Sequence, residues 1–207
     1  MMENLNKIKS IKSILVTNTR AYSDGNSIAA DIAALVAQNG KRVALVDADL
    51  RRPLLHFLFK LPNRVGLVDV LQEQRSLSAA MHSVNSNHLF VLTAGVLPIP
   101  DIDLFTLPKL GDILNQLSAQ YDKIIIHGPP FFYSEAATLA GKVDGVVLLI
   151  HPGHSKSDPY QAVMEKFQKT GATIIGIVMR DLPKYQVNQS AFIDKLLTFD
   201  RRARLTP

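Results

Sequence analysis

Short runs of branched apolar residues recur along the whole chain: Ile14 to Val16, Val43 to Val46, Leu89 to Leu92, Ile124 to Ile126, Val146 to Ile150 and Ile174 to Val178. Each is too short for a helix and too uniformly apolar for a strand with one wet face, so the runs read as strands of a parallel sheet covered on both sides. Helical patterns lie between or after them, at Ser27 to Gln38, Asp103 to Ala119, Ser134 to Ala140, Ser157 to Thr170 and Gln189 to Phe199. Strand and helix in alternation define an α/β class: a doubly wound, mainly parallel β-sheet flanked by helices. Gly40 and Gly171 follow helical segments where C-terminal caps are expected. Leu97 to Pro100 and His127 to Pro130 mark irregular loops at strand ends, the side on which ligands bind in open sheets of this kind.

A chain of 207 residues fits one domain, taken here as 1–207 with flexible tails at 1–12 and 200–207. With 47% hydrophobic and 20% charged residues the composition excludes extensive disorder. The absence of cysteine excludes disulfides and Cys-based metal sites. The first ten residues hold no signal-peptide apolar core, and no apolar run approaches the roughly 20 residues of a membrane span, so a cytoplasmic protein is expected. The net charge of +5 gathers at Lys7, Lys9 and Lys12 and at Arg201, Arg202 and Arg204, where solvated tails account for it. No reader motif accompanies the charge, and no nucleic-acid partner is expected.

The first strand runs through a turn-rich loop, Asn18 to Gly25, into a helix starting near Asn26 or Ser27, which is the geometry of a P-loop. A working loop offers a Gly-rich backbone nest, a phosphate-neutralising Lys, and a Ser or Thr for Mg²⁺. Here Ala21-Tyr22-Ser23-Asp24-Gly25-Asn26-Ser27-Ile28 holds no lysine, and the Asp24 carboxylate repels phosphate.

The remaining motifs carry a resemblance. Val46-Asp47-Ala48-Asp49-Leu50-Arg51-Arg52-Pro53 resembles the second acidic motif (Walker A′) of the bacterial tyrosine kinases of capsule and exopolysaccharide synthesis, a branch of the MinD/ParA-like P-loop proteins with a deviant Walker A loop. Asp31-Ile32-Ala33 echoes the Asn-Leu-Ala of their first helix, and Gly66-Leu67-Val68-Asp69-Val70-Leu71 their Gly-Leu-x-Asp-Val-Leu. Val91-Leu92-Thr93-Ala94-Gly95 and Pro100-Asp101-Ile102-Asp103-Leu104 are similar to their Leu-x-Ala-Gly and Asn-Pro-x-Glu-Leu-Leu stretches. Tyr121 to Pro130 and Val143 to Ile150 resemble the Walker B strand and the strand after it, so the likeness spans about Ile14 to Arg180.

The resemblance also shows what has changed. Aligned without gaps, the family's Pro-Gly-x-Gly-Lys-Ser-Thr falls on Ala21 to Ser27, with Gly25 at the lysine and Asn26 at the magnesium hydroxyl; moved by one, Asn26 takes the lysine position and Ser27 the hydroxyl. Walker B reads His127-Gly128-Pro129-Pro130 in place of Asp-Thr-Pro-Pro, and imidazole is a poor ligand for a hard cation. Arg180 stands at the base-reading Asn, the C-terminal Phe199 to Arg204 segment has no tyrosine, and Met1 to Lys12 lacks the Glu-x-x-Arg-x-x-Arg ring-assembly segment. Losing the Lys, the Walker B Asp and the base contact together weakens MgATP binding by roughly three to six powers of ten if the losses add.

Single residues keep more than one reading. Asp47 and Asp49 match the family's Mg²⁺-binding and catalytic acids, and are otherwise structural, paired with Arg51 or Arg52. Ser27 and Asn26 are helix N-caps or phosphate contacts. His127 reads as a hydrogen-bonded loop histidine more than as a metal ligand with His151 and His154. Arg51 and Arg52 face a partner or solvent, and Pro129-Pro130-Phe131-Phe132-Tyr133 packs into the emptied cleft or forms a contact surface.

The expected function is a pseudoenzyme, a pseudo-kinase or pseudo-ATPase without bound cofactor where the family uses ATP and Mg²⁺. Its expected partner is a membrane-embedded polysaccharide chain-length regulator or an active kinase homologue, at the inner face of the membrane, with homo-oligomers allowed. Two alternatives stay open: an active, divergent ATP-dependent tyrosine autokinase, with phosphotyrosine on Tyr22, Tyr121, Tyr133, Tyr160 or Tyr185, and a Min/Par-like ATPase that binds membrane or DNA.

Overall fold

In a computed structural model, which describes residues 11–19, 27–84, 88–97, 104–106, 108–150 and 169–179, each apolar run becomes a strand. The strands are β1 (Ser13–Asn18), β2 (Val43–Asp47), β3 (Met81–Val84), β4 (Leu89–Leu92), β5 (Lys123–His127), β6 (Gly145–Ile150) and β7 (Ile174–Met179). They form one sheet in the order β3-β4-β2-β5-β1-β6-β7. Every pairing is parallel except β3 with β4. The doubly wound α/β class expected from the sequence is therefore the observed one.

Strand β3 carries no apolar run. Its residues Met81-His82-Ser83-Val84 are at most half-buried, and it owes its extended form to antiparallel pairing with β4.

The helices are α1 (Ile28–Gln38), α2 (Leu55–Phe59), α3 (Leu67–Leu71), α4 (Leu77–Ala80), α5 (Lys109–Gln120) and α6 (Ser134–Ala140). The helix expected over Asp103 to Ala119 is instead a 3₁₀ turn, Leu104–Thr106, followed by α5. Pro108 has no N–H to donate to a preceding carbonyl, so the regular helix begins behind it. Of the helix expected over Ser157 to Thr170, only Lys169 and Thr170 are described, and both are helical. The one at Gln189 to Phe199 lies outside the described residues.

Strand alternation sends side chains to two cores. Val16, Val43, Leu45, Val91 and Ile125 face α1 and Leu55. Leu15, Ala44, Val46, Leu92, Ile124 and Ile126 face α3, α4, α5 and α6. Both faces are buried, which is why these strands read as continuous apolar runs. Fully buried leucines such as Leu15, Leu45, Leu92 and Leu117 each contribute about 1.5–3 kcal/mol by leaving water. Helix α1 meets the sheet through Ala29, Ala30, Ala33 and Ala37, side chains small enough to bring its backbone close.

Two of the sequence motifs interlock. A Cβ on Gly66 would stand 2.2 Å from Gly95 N and 2.3 Å from Thr93 O, so only glycine lets the chain before α3 lie against the loop after β4. Around that contact Leu67 N–H donates to Thr93 O (2.8 Å) and Val68 N–H to Ala94 O (2.9 Å). Asp69 Oδ2 accepts from Gly66 N–H at 2.7 Å, and Asn63 Oδ1 accepts from Gly95 N–H at 2.9 Å.

At the opposite end of the sheet Asp144 anchors β1 by accepting from the N–H groups of Lys12 and Ser13 and from the Ser13 hydroxyl. Ile11 is buried, so the described part of the expected 1–12 tail is packed. Residues 1–10 and 200–207 lie outside the described residues.

Candidate functional site

β1 stands between β5 and β6, and the chain winds away from it toward both sheet edges. The carboxyl ends of β1, β2 and β5 therefore border the crevice in which sheets of this class bind ligands. Of the loop residues singled out by sequence, Gly25 and Asn26 lie outside the described residues, and Ser27 opens the described chain on the α1 side.

Ser27 is extended (φ −115°, ψ 110°), and its Oγ accepts from Ala30 N–H at 3.3 Å, so it caps α1. It is buried, and the same oxygen lies 3.4 Å from His127 Nδ1.

Asp47 ends β2 in register with His127, which ends β5 and pairs with Val16 of β1 on its other side. Asp47 is fully buried. Its Oδ2 accepts from the N–H groups of Leu54 and Leu55, both at 2.9 Å, which secures the start of α2. Its Oδ1 has no partner. Burial pushes the Asp47 carboxyl up to about 7, with the Asp49 charge adding to it and the backbone donors opposing.

Asp49 Oδ1 accepts from Arg52 N–H at 3.1 Å. Burial raises its carboxyl to about 6, against the attraction of Arg52. Asp47 thus holds two backbone N–H groups, and Asp49 feels the charges of both Arg52 and Arg51.

His127 is a buried strand residue, not a loop residue. Burial, and secondarily the Arg52 charge, lowers it to about 4, so the imidazole is neutral at physiological pH. His151 and His154 lie outside the described residues, as do Arg180 and the C-terminal segment. Among the described residues no three His, Asp or Glu side chains stand together as a metal cluster.

The aromatic run divides its residues between core and surface. Thr17 Oγ1 donates to Pro129 O at 2.7 Å and Phe131 N–H to Asn18 O at 2.9 Å, which ties the loop to the end of β1. Phe131 joins the core on the α3–α5 side, and Phe132 is half exposed. Tyr133 lies against Arg51, whose Cζ is 5.1 Å from the ring centroid. Arg51 Nε and Nη2 both donate to Glu135 Oε1, at 3.0 and 2.8 Å. Burial raises the Glu135 carboxyl, but its own backbone N–H, Arg51 and Ser134 outweigh that and hold it below the usual glutamate value. Sequence reading overlooked Glu135, because nothing in its neighbours signals a partner 84 residues away.

Magnesium with a bound phosphate asks for oxygen donors and a cation to offset the phosphate. Around this crevice stand a neutral imidazole, a serine hydroxyl already engaged with the helix cap, and a carboxylate with one oxygen committed to backbone. Only Asp47 Oδ1 is uncommitted among these buried atoms.

The fold is a doubly wound, mainly parallel α/β domain with its crevice at the carboxyl ends of β1, β2 and β5. The chain is similar to the septum site-determining protein MinD of Pyrococcus horikoshii, solved with Mg-ADP, at a TM-score of 0.72 and 20% identity over 88% of this chain and 76% of that one. Within that class it is 33% identical to the tyrosine-protein kinase YwqD of Bacillus subtilis over 172 residues, 83% of this chain and 73% of YwqD. A crystal structure of the chimerical protein CapA2B2 aligns at a TM-score of 0.77 and 30% identity, covering 84% of this chain and 78% of that one. No family model matches the chain. The chain belongs to the bacterial tyrosine-kinase family.

Proposed function

We propose that this chain is a catalytically impaired member of its family, one that serves polysaccharide synthesis by binding a partner instead of transferring phosphate. The observation that supports the reading is that polar groups at the crevice are engaged by the protein itself: Ser27 Oγ lies 3.4 Å from a neutral His127, and Asp47 Oδ2 accepts from the two N–H groups at the start of α2, with Asp47 Oδ1 left unpaired. The lysine-free loop between Asn18 and Ser27 points the same way. Asp47 and Asp49 then act as structural acids.

The family resemblance supplies the partner class, a membrane-embedded polysaccharide chain-length regulator or an active kinase homologue, and with it a place at the inner face of the membrane. Among the described residues no helix is long and apolar enough to cross a membrane.

Calorimetric titration of the purified chain with MgATP and MgADP tests the impairment. The unmodified chain is expected to give no binding heat, and Gly25→Lys combined with His127→Asp is expected to gain it. Micromolar binding by the unmodified chain would refute the reading.

A further inference from the structure

Between Asp49 and Asp69 lie 19 residues, Leu50 to Val68, that hold four of the chain's 23 lysines and arginines and none of its 18 acids. The cations are Arg51 and Arg52 before α2, and Lys60 and Arg64 after it. All four are exposed. Arg51 is engaged by Glu135, and Arg52 lends part of its field to Asp49. Lys60 and Arg64 make no salt bridge with a described carboxylate.

Helix α2 is divided between core and solvent. Leu55 is fully buried, and Phe59 and Leu61 pack on the same core. Phe57 and Leu58 stand in solvent instead, 71% and 40% exposed, and Phe57 is the most exposed large apolar side chain among the described residues. A loose segment does not account for this. Leu54 and Leu55 N–H donate to Asp47 at the start of the helix, and at its end Lys60 takes the left-handed conformation (φ 53°) while Leu61 N–H donates to His56 O at 2.9 Å. Farther on, the Asn63 side chain exchanges two hydrogen bonds with the Gly95 backbone, at 2.9 and 3.0 Å. A framework tied at both ends thus holds two adjacent apolar side chains in water, with cations before and after them.

We propose that the segment Arg52 to Arg64 docks on an anionic lipid surface: Phe57 and Leu58 enter the boundary between headgroups and acyl chains, and Arg52, Lys60 and Arg64 meet lipid phosphates. Such a contact combines apolar burial with the attraction of cations to a negatively charged leaflet. Each half supplies what the other lacks. Two apolar side chains by themselves partition weakly, and cations without an apolar anchor are released by salt. The inference goes beyond the proposed function, whose place at the membrane is drawn from a partner, and it stands whether or not the crevice takes a nucleotide.

Charge complementarity selects the surface, because 19 residues without an acid favour a negative one. An acidic protein would satisfy the cations too, but on a protein the exposed Phe57–Leu58 pair needs a pocket shaped for it. A bilayer needs no fitted pocket. It accepts any apolar side chain that reaches it, provided that basic groups stand alongside on a rigid support.

The chain has no tryptophan, so Phe57→Trp places a single indole at the proposed contact. The full chain carrying it is mixed at low salt with vesicles of phosphatidylglycerol and phosphatidylcholine, and with vesicles of phosphatidylcholine alone. A blue-shifted emission that brominated acyl chains quench, with the anionic vesicles and not with the neutral ones, is the expected result. No binding, or binding without a shift, overturns the proposal, and equal binding to neutral vesicles overturns the part given to the cations.

Vesicle sedimentation then separates the contributions. Phe57→Ser with Leu58→Ser, and separately Lys60→Gln with Arg64→Gln, are each expected to weaken binding to anionic vesicles at least about tenfold. The second pair alters exposed polar side chains only, so it decides the matter should the first fail to fold. Exchanging Lys7, Lys9, Arg201, Arg202 and Arg204 for glutamine is expected to leave binding in place; loss of binding there, with none in the two double variants, overturns the proposal. Two results would give the segment another occupant and also overturn it. Capture by polyglutamate and not by vesicles would point to an acidic protein, and a dimer that Phe57→Ser with Leu58→Ser dissociates, without vesicle binding, to a second copy of the chain.

Discussion

Ser27 Oγ and His127 Nδ1, 100 positions apart in sequence, lie 3.4 Å from each other, so the cap of α1 and the end of β5 are joined across the crevice. Ser27→Ala removes that contact and the acceptor for Ala30 N–H together. Loss of such a cap costs about 1 kcal/mol, and His127 loses its partner as well. Urea denaturation should show a lower midpoint with an unchanged slope; an unchanged midpoint would mean that the hydroxyl is dispensable.

His127→Asp restores the family's acid and also sets a second buried carboxylate in register with Asp47. Without a cation the two charges repel in a desolvated place. We expect a loss on the order of 1–3 kcal/mol at pH 8, partly recovered by millimolar Mg²⁺. Thermal melts with and without the ion measure it, and a variant as stable as the parent in the absence of metal would contradict the description of the crevice.

Asp47 gives a pH signature with a definite sign. Its folded value, about 7, lies above the ordinary carboxylate value of 3.8, so the folded state binds the proton more tightly than the unfolded chain. The stability this proton confers is complete below about 4 and is lost as pH rises through 7. Asp49, raised to about 6, acts in the same direction. His127, lowered to about 4, acts oppositely between about 4 and 6.5. Comparing the protein with Asp47→Asn isolates the first effect: the variant's relative stability should grow from pH 4 to pH 7 and level off above, by up to about 4 kcal/mol. A difference independent of pH would show that Asp47 titrates normally.

Gly66→Ala should be the most damaging of these substitutions. The new methyl would fall 2.2 Å from Gly95 N and 2.3 Å from Thr93 O, both backbone atoms that cannot swing aside as a side chain can. We expect a loss of about 3 kcal/mol or more in chemical denaturation, and wild-type stability would show that the loops separate at little cost.

The surface pair behaves differently. Glu135→Gln keeps the shape and removes the charge facing Arg51, so its effect on stability should stay within about 1 kcal/mol. A larger loss would make the bridge part of the framework and no longer an exchangeable contact.

Legible in the residues alone are the sheet and its two covered faces, because burial on both sides writes itself into consecutive apolar residues such as Ile124 to Ile126. The residues also mark the glycine turns at Gly40 and Gly171, whose positive φ values of 77° and 68° suit a residue without Cβ. The family motifs were legible as residues, but not as contacts: Gly66 and Gly95 carry no mark of lying against each other. Nor does β3, which is a strand only because β4 pairs with it. Asp47 is read in sequence as a metal ligand or an arginine partner, and only the folded chain shows its oxygen holding the start of α2. Tertiary structure decided these roles because a polar side chain takes its state from partners and desolvation, and parallel crossovers draw those partners from distant parts of the chain.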